Sequence, residues 1–148
     1  MSSSTQIVAL PDTLVFPNDA LGAVHAALLE HDADLCLGVF PVDEPERLGP
    51  VDLAPDGTVR RVLDKPGHRE LPNSWGVACW SPAFTAFCCE WDEARVREGA
   101  TTERVLGHVF DAARVAGLRV RGVFFPTGHM IDIGTPAGLA LAQRELDR

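Results

Sequence analysis

The chain has 148 residues, of which 46% are hydrophobic and 23% charged, so it can form one globular domain with a substantial core. Its formal net charge of −8 argues against a nucleic-acid-binding protein, because phosphate backbones are bound by clustered positive charge. No apolar run approaches the roughly 20 residues that span a bilayer, and the first five residues do not resemble a signal peptide. We therefore expect a single cytoplasmic domain over residues 1–148.

The cysteine and lysine contents indicate the redox state of the protein and one candidate functional residue. The four cysteines form neither a CxxC motif nor a Cys/His metal spacing, which favours reduced and mostly buried thiols. Of the 13 basic residues, 12 are arginine and only Lys65 is lysine. A GC-rich genome explains the excess of arginine. Lysine nevertheless differs from arginine in carrying a compact charge on a flexible stem, so Lys65 is a candidate for a specific role.

The N-terminal third predicts a strand–helix–strand unit. Residues 6–10 (QIVAL) form a continuous apolar run, which predicts a strand buried on both faces as in parallel sheets. Asn18 or Asp19 can cap the following helix, which has an apolar stripe. Residues 35–40 (LCLGVF) predict a second buried strand. This order of elements predicts a right-handed crossover connection.

The rest of the chain predicts an antiparallel insertion followed by more α/β structure. Residues 51–53 and 58–63 flank a Pro-Asp-Gly turn, which predicts a β-hairpin. Residues 75–80 (WGVACW) predict a strand whose two tryptophans point to opposite faces, since an odd number of positions separates them. The remaining predicted elements are a helix capped by Ser81, a helix from Thr101 or Thr102 to Gly117, strands at 118–125 and 130–133, and a last helix from Thr135.

Two aspartates are candidate metal ligands. Asp12 follows the first predicted strand, and Asp132 lies in a short strand before Gly134. Because ligands bind at the carboxyl ends of strands in α/β sheets, the two carboxylates could converge there and hold Mg²⁺. Alternatively, Asp12 begins a turn and Asp132 caps the last helix, and the 120 residues between them favour this alternative. His129 could also reach such a crevice, although its position favours an exposed turn.

Two further segments could bind an anionic sugar. In the DKP sequence at 64–66, proline fixes the chain direction and lysine offers three donors and a charge to an anion, although a single lysine is commonly just solvated. The NSWG sequence at 73–76 combines an amide, an aromatic face and a glycine that permits close approach, as a sugar pocket requires. The alternative for the tryptophan is packing in the core.

These motifs, in this order, resemble the sugar-1-phosphate nucleotidyltransferases, the glucose-1-phosphate thymidylyl- and uridylyltransferase family. Residues 8–14 resemble the family's strand that ends in a metal-binding aspartate, and 64–66 resemble its Glu-Lys-Pro motif. Residues 73–82 resemble its strand with sugar contacts, and 128–136 resemble its Trp-Ile-Asp-Ile-Gly-Thr-Pro segment. The resemblance implies a partial nucleotide-diphospho-sugar transferase fold, which is a Rossmann-like three-layer α/β sandwich with a mixed sheet and a β-hairpin insertion.

The resemblance also implies a role for each motif. Asp12 and Asp132 would bind Mg²⁺, and Lys65 would be the catalytic residue that holds the sugar 1-phosphate. The sugar contacts would come from Asp64, Asn73, Trp75, Gly76 and Glu103. In the implied reaction, an oxygen of the sugar 1-phosphate attacks the α-phosphorus of a nucleoside triphosphate such as UTP or dTTP, and pyrophosphate leaves.

The chain also departs from the family pattern. The glycine-rich loop that cradles the triphosphate has no counterpart in it, Pro11 replaces the usual glycine, and His108 replaces an acid. We therefore expect a nucleoside triphosphate to bind only where a nucleotide-binding half is supplied. The alternatives are a non-catalytic sugar-phosphate-binding or assembly module and a truncated product without an independent role. Because the QIVAL strand lacks its usual sheet neighbours, we also expect a homo-oligomer or a partner chain.

Overall fold

The computed structural model describes residues 4–64 and 70–147. Its secondary structure alternates strands and helices, with a short 3-10 turn at Pro45–Arg47. The strands are β1 (Gln6–Ala9), β2 (Thr13–Phe16), β3 (Leu35–Pro41), β4 (Val51–Leu53), β5 (Val59–Val62), β6 (Asn73–Trp80), β7 (Val120–Phe124) and β8 (His129–Asp132). The helices are α1 (Ala20–Glu30), α2 (Pro82–Arg97), α3 (Leu106–Val115) and α4 (Pro136–Leu146). Among the described residues, no helix has both the length and the apolar character to cross a membrane.

A four-stranded mixed sheet in the order β1-β6-β3-β7 forms the centre of the fold. β3 pairs in parallel with β7 and antiparallel with β6, and β1 pairs antiparallel with β6. Two smaller antiparallel pairs, β2 with β8 and β4 with β5, accompany this sheet. The mixed α/β architecture and the hairpin at β4–β5 confirm the predictions from the sequence.

Helices cover both faces of the sheet, as a three-layer sandwich requires. On one face, α1 packs Val24 and Leu28 against the strands. On the other face, α2 and α3 contribute Phe84 and Phe110, both fully buried. Each such phenylalanine stabilises the fold by about 2 kcal/mol. Because strand side chains alternate between faces, the uninterrupted apolar run of β3 supplies both cores at once.

The four cysteines are free thiols, of which Cys36 and Cys79 are buried, Cys88 is partly buried and Cys89 is exposed. Cys36 and Cys79 lie opposite each other on β3 and β6, beneath α1. Burial raises the pKa of Cys36 to about 12 and that of Cys79 to about 11. Both thiols therefore remain protonated and unreactive at neutral pH.

β1 differs from its prediction, because it is an edge strand and is not buried on both faces. Gln6, Ile7 and Ala9 are exposed, and Ile7 keeps 53% of its surface accessible. Pairing with β6 is antiparallel, whereas the apolar run suggested a parallel sheet. An apolar sequence predicts a buried strand, but it does not show whether neighbouring elements are present on both sides to bury it.

The tryptophans of β6 also differ from their prediction. Trp75 and Trp80 lie on the same face of the sheet, where both rings pack against Phe110. The register between β3 and β6 shifts so that Gly76 has no partner, which makes it the extra residue of a β-bulge. One inserted residue reverses the alternation of side chains along the rest of the strand.

Helix starts were predicted with mixed success. Thr135 caps α4 as predicted, since its hydroxyl accepts a hydrogen bond from the Gly138 amide at 3.1 Å. The start at Thr101 or Thr102 was wrong, because α3 begins at Leu106 after an extended Val105. Ser81 occupies the N-cap position of α2 without a capping hydrogen bond from its side chain.

Candidate functional site

The pairing of β2 with β8 brings the two candidate metal ligands together. Thr13, the residue after Asp12, lies directly opposite Asp132 in the register of this pair. In addition, the Ile133 amide donates a hydrogen bond to the carbonyl of Asp12 at 2.8 Å. β2 was not predicted from the sequence, and without this strand the large separation of the two aspartates along the chain argued against a shared site.

The carboxylates of Asp12 and Asp132 flank the same glycine. A Cβ atom placed on Gly134 would lie 3.0 Å from Oδ1 of Asp132 and 3.7 Å from Oδ2 of Asp12. The Gly134 amide also donates to Oδ1 of Asp132 at 2.8 Å, which orients that carboxylate. Both aspartates are exposed, so a ligand can reach them.

The first turn of α4 packs closely against the backbone of Asp132. A Cβ atom on Gly138 would lie 1.7 Å from the carbonyl oxygen of Asp132, so only glycine permits this close approach. Thr135, and not Asp132, provides the cap of this helix. The alternative in which Asp132 serves as a helix cap is therefore wrong.

Two exposed carboxylates fit Mg²⁺ and do not fit a metal enclosed by protein ligands. The described residues contain no group of three or more His, Cys, Asp or Glu side chains that could hold a metal ion. Mg²⁺ is commonly bound by one or two carboxylates, with water and substrate phosphates completing its octahedron. Zinc, in contrast, requires at least three protein ligands, mostly nitrogen or sulfur.

A cavity of about 750 Å³ opens beside these carboxylates. It lies between the start of β6, the end of β7, strand β8 and the segment at 41–48. Its lining is Leu10, Thr13, Pro41, Val42, Asp43, Glu44, Leu48, Pro72, Ser74, Trp75, Gly76, Phe124, Gly128, His129, Met130 and Asp132. This size and the mixture of aromatic, apolar and acidic groups suit a small polar ligand with a ring.

Trp75 and Gly76, two of the residues proposed from the sequence as sugar contacts, both line this cavity. The indole of Trp75 packs edge-on against Phe110, with 5.1 Å between ring centroids, so Trp75 serves the core and the cavity together. A Cβ atom on Gly76 would lie 2.2 Å from Sδ of Met130. The absence of a side chain at Gly76 therefore makes room for Met130 in the cavity wall.

The side chain of Asn73 forms hydrogen bonds with the protein backbone. Its side-chain amide accepts a hydrogen bond from the Val51 amide at 2.8 Å and donates one to the Val51 carbonyl at 3.1 Å. It lines a second cavity of about 550 Å³, on the side of the β4–β5 hairpin. The observed bonds therefore make Asn73 a tie between the hairpin and β6.

Two further predicted residues, Asp64 and Glu103, lie apart from the cavity lining. Asp64 follows β5 and is largely buried, with its Oδ2 3.7 Å from Nε2 of His108. Glu103 is exposed in the segment before α3. Lys65 lies outside the described residues, so its predicted role stays a prediction. The structure thus brings together Asp12, Asp132, Trp75 and Gly76 but leaves Asp64 and Glu103 outside the lining.

His129 lines the cavity, whereas its position in the sequence favoured an exposed turn over the crevice that it could also reach. It lies in β8 and not in an exposed turn, and its ring stacks on Phe16 with 4.7 Å between centroids. Its Nε2 is buried and has no hydrogen-bond partner among the described residues. Recognition of the β2–β8 pair would have identified His129, because it lies opposite Phe16 in that register.

Several solved structures that superpose on this chain are named as nucleotidyltransferases. A protein from Bacillus anthracis named as a glucose-1-phosphate thymidylyltransferase superposes with a TM-score of 0.75 at 18% identity, covering 95% of this chain and 53% of that chain. The inositol-1-phosphate CTP transferase from T. maritima gives 0.71 at 21% identity, covering 99% and 56%. A UTP-bound UGPase from Acinetobacter baumannii gives 0.69 at 19% identity, covering 96% and 51%.

These similarities establish the fold of the chain. It has the nucleotide-diphospho-sugar transferase fold that the sequence motifs predicted, and it spans about half the length of the structures it matches. No protein-family model matches the sequence, and no curated protein matches it.

Proposed function

We propose that the cavity binds a sugar 1-phosphate together with Mg²⁺, as the sugar-phosphate half of a nucleotidyltransferase site. The observation that carries this proposal is the β2–β8 pairing, which places the carboxylates of Asp12 and Asp132 around Gly134 beside a cavity of about 750 Å³. The fold supports it, since the matched proteins named above are nucleotidyltransferases that act on phosphorylated sugars or cyclitols.

Each residue has a distinct task in this proposal. Asp12 and Asp132 hold the ion, which supplies positive charge to the phosphate groups. Trp75 offers its ring face to the sugar, and the buried Phe110 behind it fixes the orientation of that ring. We further propose, following the family resemblance, that Lys65 holds the phosphate of the sugar. The resemblance also implies sugar contacts from Asp64, Asn73 and Glu103, but these residues lie outside the lining of this cavity.

The proposed reaction transfers a nucleotidyl group from UTP or dTTP. An oxygen of the sugar 1-phosphate forms a bond to the α-phosphorus, the bond from that phosphorus to the bridging oxygen breaks, and pyrophosphate leaves. Such a displacement depends on positioning and neutralisation of charge more than on acid–base groups. The described cavity lining contains no glycine-rich phosphate loop, so we expect turnover only where a nucleotide-binding half is supplied.

A second candidate function is a sugar-phosphate-binding or assembly module without turnover. The exposed edge of β1 favours it, because an unpaired strand edge offers backbone donors and acceptors to another strand. Both candidates use the same sugar-phosphate site. They differ in whether addition of a nucleoside triphosphate leads to product.

Calorimetric titration with glucose 1-phosphate, with and without Mg²⁺, tests the site. We expect affinity that depends on Mg²⁺, and we expect Asp132→Asn to weaken it by about tenfold because one anionic ligand of the ion is lost. Lys65→Ala should weaken binding by a similar factor, about tenfold, through loss of the phosphate contact. The matched control is Asp147→Asn, which changes an exposed aspartate that does not line the cavity.

Three outcomes would contradict parts of the proposal. Equal affinity with Mg²⁺ and with a chelator would exclude the metal-assisted site. Equal affinity of the Lys65→Ala variant and the unchanged chain would remove the role given to Lys65. An equal loss in Asp132→Asn and Asp147→Asn would show that the effect reflects overall charge and not the site.

A further inference from the structure

The electrostatic character of the cavity is unusual for a site that receives a phosphate. Its described lining carries the carboxylates of Asp43, Glu44 and Asp132 but no lysine or arginine, and its one basic group is His129. In the proposed site, Asp132 is a ligand of the ion. Asp43 and Glu44 lie on the segment between β3 and the 3-10 turn, and nothing in the proposed metal site uses them.

The two remaining acids differ in how far they are already paired. Oε2 of Glu44 accepts a hydrogen bond from Nη1 of Arg47 at 2.9 Å, which partly neutralises its charge. Asp43 is exposed and forms no hydrogen bond or ion pair within the described part of the chain. Its carboxylate therefore keeps its full capacity to accept hydrogen bonds from a ligand in the cavity.

The distribution of charge fixes the direction in which a sugar phosphate can enter. The phosphate dianion is stabilised by the ion that neutralises Asp12 and Asp132 and by the proposed contact with Lys65, whereas the carboxylates of Asp43 and Glu44 in the cavity lining repel it. The part of the sugar ring that points away from the phosphate must then meet the segment at 43–44. Trp75 and Leu48 complete the wall with apolar surface.

We infer that Asp43 is a specificity-determining residue that selects sugar phosphates whose rings carry hydroxyl groups and no further negative charge. This inference rests on the proposed function of the cavity. An ionised carboxylate only accepts hydrogen bonds, so it can bind ring hydroxyls but not a second carboxylate. A uronic acid phosphate would place like charges against each other, which is an effective way to reject a competing ligand.

A comparison of two ligands on matched variants tests this inference. Calorimetry in the presence of Mg²⁺ measures glucose 1-phosphate and glucuronic acid 1-phosphate on the unchanged chain and on Asp43→Asn. The unchanged chain should prefer glucose 1-phosphate by about tenfold, from one like-charge contact near the surface. Asp43→Asn keeps an acceptor oxygen but removes the charge, so the preference should fall to about twofold.

The control variant is Asp19→Asn, which removes an exposed carboxylate at the start of α1 and introduces an equally good N-cap residue. It should retain the full preference. An unchanged ratio of the two affinities in Asp43→Asn, or no preference in the unchanged chain, overturns the inference about Asp43 and leaves the sugar-phosphate site standing. Absence of Mg²⁺-dependent binding for both ligands overturns this inference and the proposed function together.

Discussion

The two edges of the central sheet are protected in different ways. At the β7 edge, the tip of the β4–β5 hairpin continues the pairing: Thr58 forms a bridge with Arg121, and the Gly122 amide donates to the Gly57 carbonyl at 2.8 Å. At the β1 edge, the described residues provide no such cover, and Ile7 remains 53% exposed. Since unpaired edges readily add strands, β1 is the edge at which another strand would join this sheet.

The covered edge is also held by a side chain. Arg121 extends from β7 to the hairpin tip, where Nη1 donates to the hydroxyl of Thr58 at 3.2 Å and Nη2 donates to the carbonyl of Asp56. The turn itself depends on Gly57, whose φ of +87° is in the left-handed region that glycine adopts without strain. The hairpin therefore caps the sheet edge, and the Arg121 side chain reinforces the backbone pairing that attaches it.

Arg121→Ala should produce the largest change in the covered edge. We expect the free energy of unfolding to fall by about 2 kcal/mol, because two hydrogen bonds from a charged donor are lost. Urea denaturation measures the change in the free energy of unfolding. Faster hydrogen exchange of the Gly122 amide would show that the loss is at the hairpin contact. Arg60→Ala is the matched control, since its exposed guanidinium lies 3.7 Å from Asp52 and contributes at most about 0.5 kcal/mol. Equal losses in the two variants would contradict the capping role.

Ile7→Lys tests the bare edge. If copies of the chain pair through β1, we expect this charge to weaken self-association by about tenfold, or about 1.4 kcal/mol, because edge lysines oppose strand pairing. Sedimentation across a range of concentrations measures the association. Leu146→Lys, at a leucine that is 67% exposed at the end of α4, is the control and should leave association unchanged.

A different outcome would remove the distinction between the edges. If the unchanged chain stays monomeric at high concentration while the β1 amides resist hydrogen exchange, then β1 is protected without a partner. The edge would then require no second strand, and the assembly role proposed for it would be wrong.

The sequence predicted the hairpin because its signals are local. A Pro-Asp-Gly turn between two short valine-containing segments specifies the β4–β5 pair without reference to the rest of the chain. The role of that hairpin as a cap could not be predicted, since it depends on Arg121, which lies beyond two further helices. The β1 strand shows the converse, because its apolar residues were identified correctly but its exposure depends on which neighbours exist.

The candidate site was predictable only in part, for the same reason. The motifs indicated Asp12 and Asp132 as candidate metal ligands. Their proximity in space depends on β2, a four-residue strand without a strong local pattern. Trp75 and Trp80 were expected to point to opposite faces of the sheet. The bulge at Gly76 places them on the same face, and this bulge is a property of the pairing with β3. Pairing between distant strands is not visible in local periodicity, so the site's geometry required the structure.

The smallest expected effect concerns the pH dependence of the hairpin tip. Oδ1 of Asp56 accepts a hydrogen bond from the Thr58 amide at 2.9 Å, and this bond lowers the pKa of Asp56 below its usual value. Because the pKa is depressed in the folded chain, the stabilisation is present above the usual carboxyl pKa near 4 and is lost as pH falls through the lower folded value. The amide resonance of Thr58, followed by NMR through this acidic range, should report the loss. Asp56→Asn keeps an acceptor without a titrating charge and should abolish the transition, whereas an identical transition in that variant would assign it to another carboxylate.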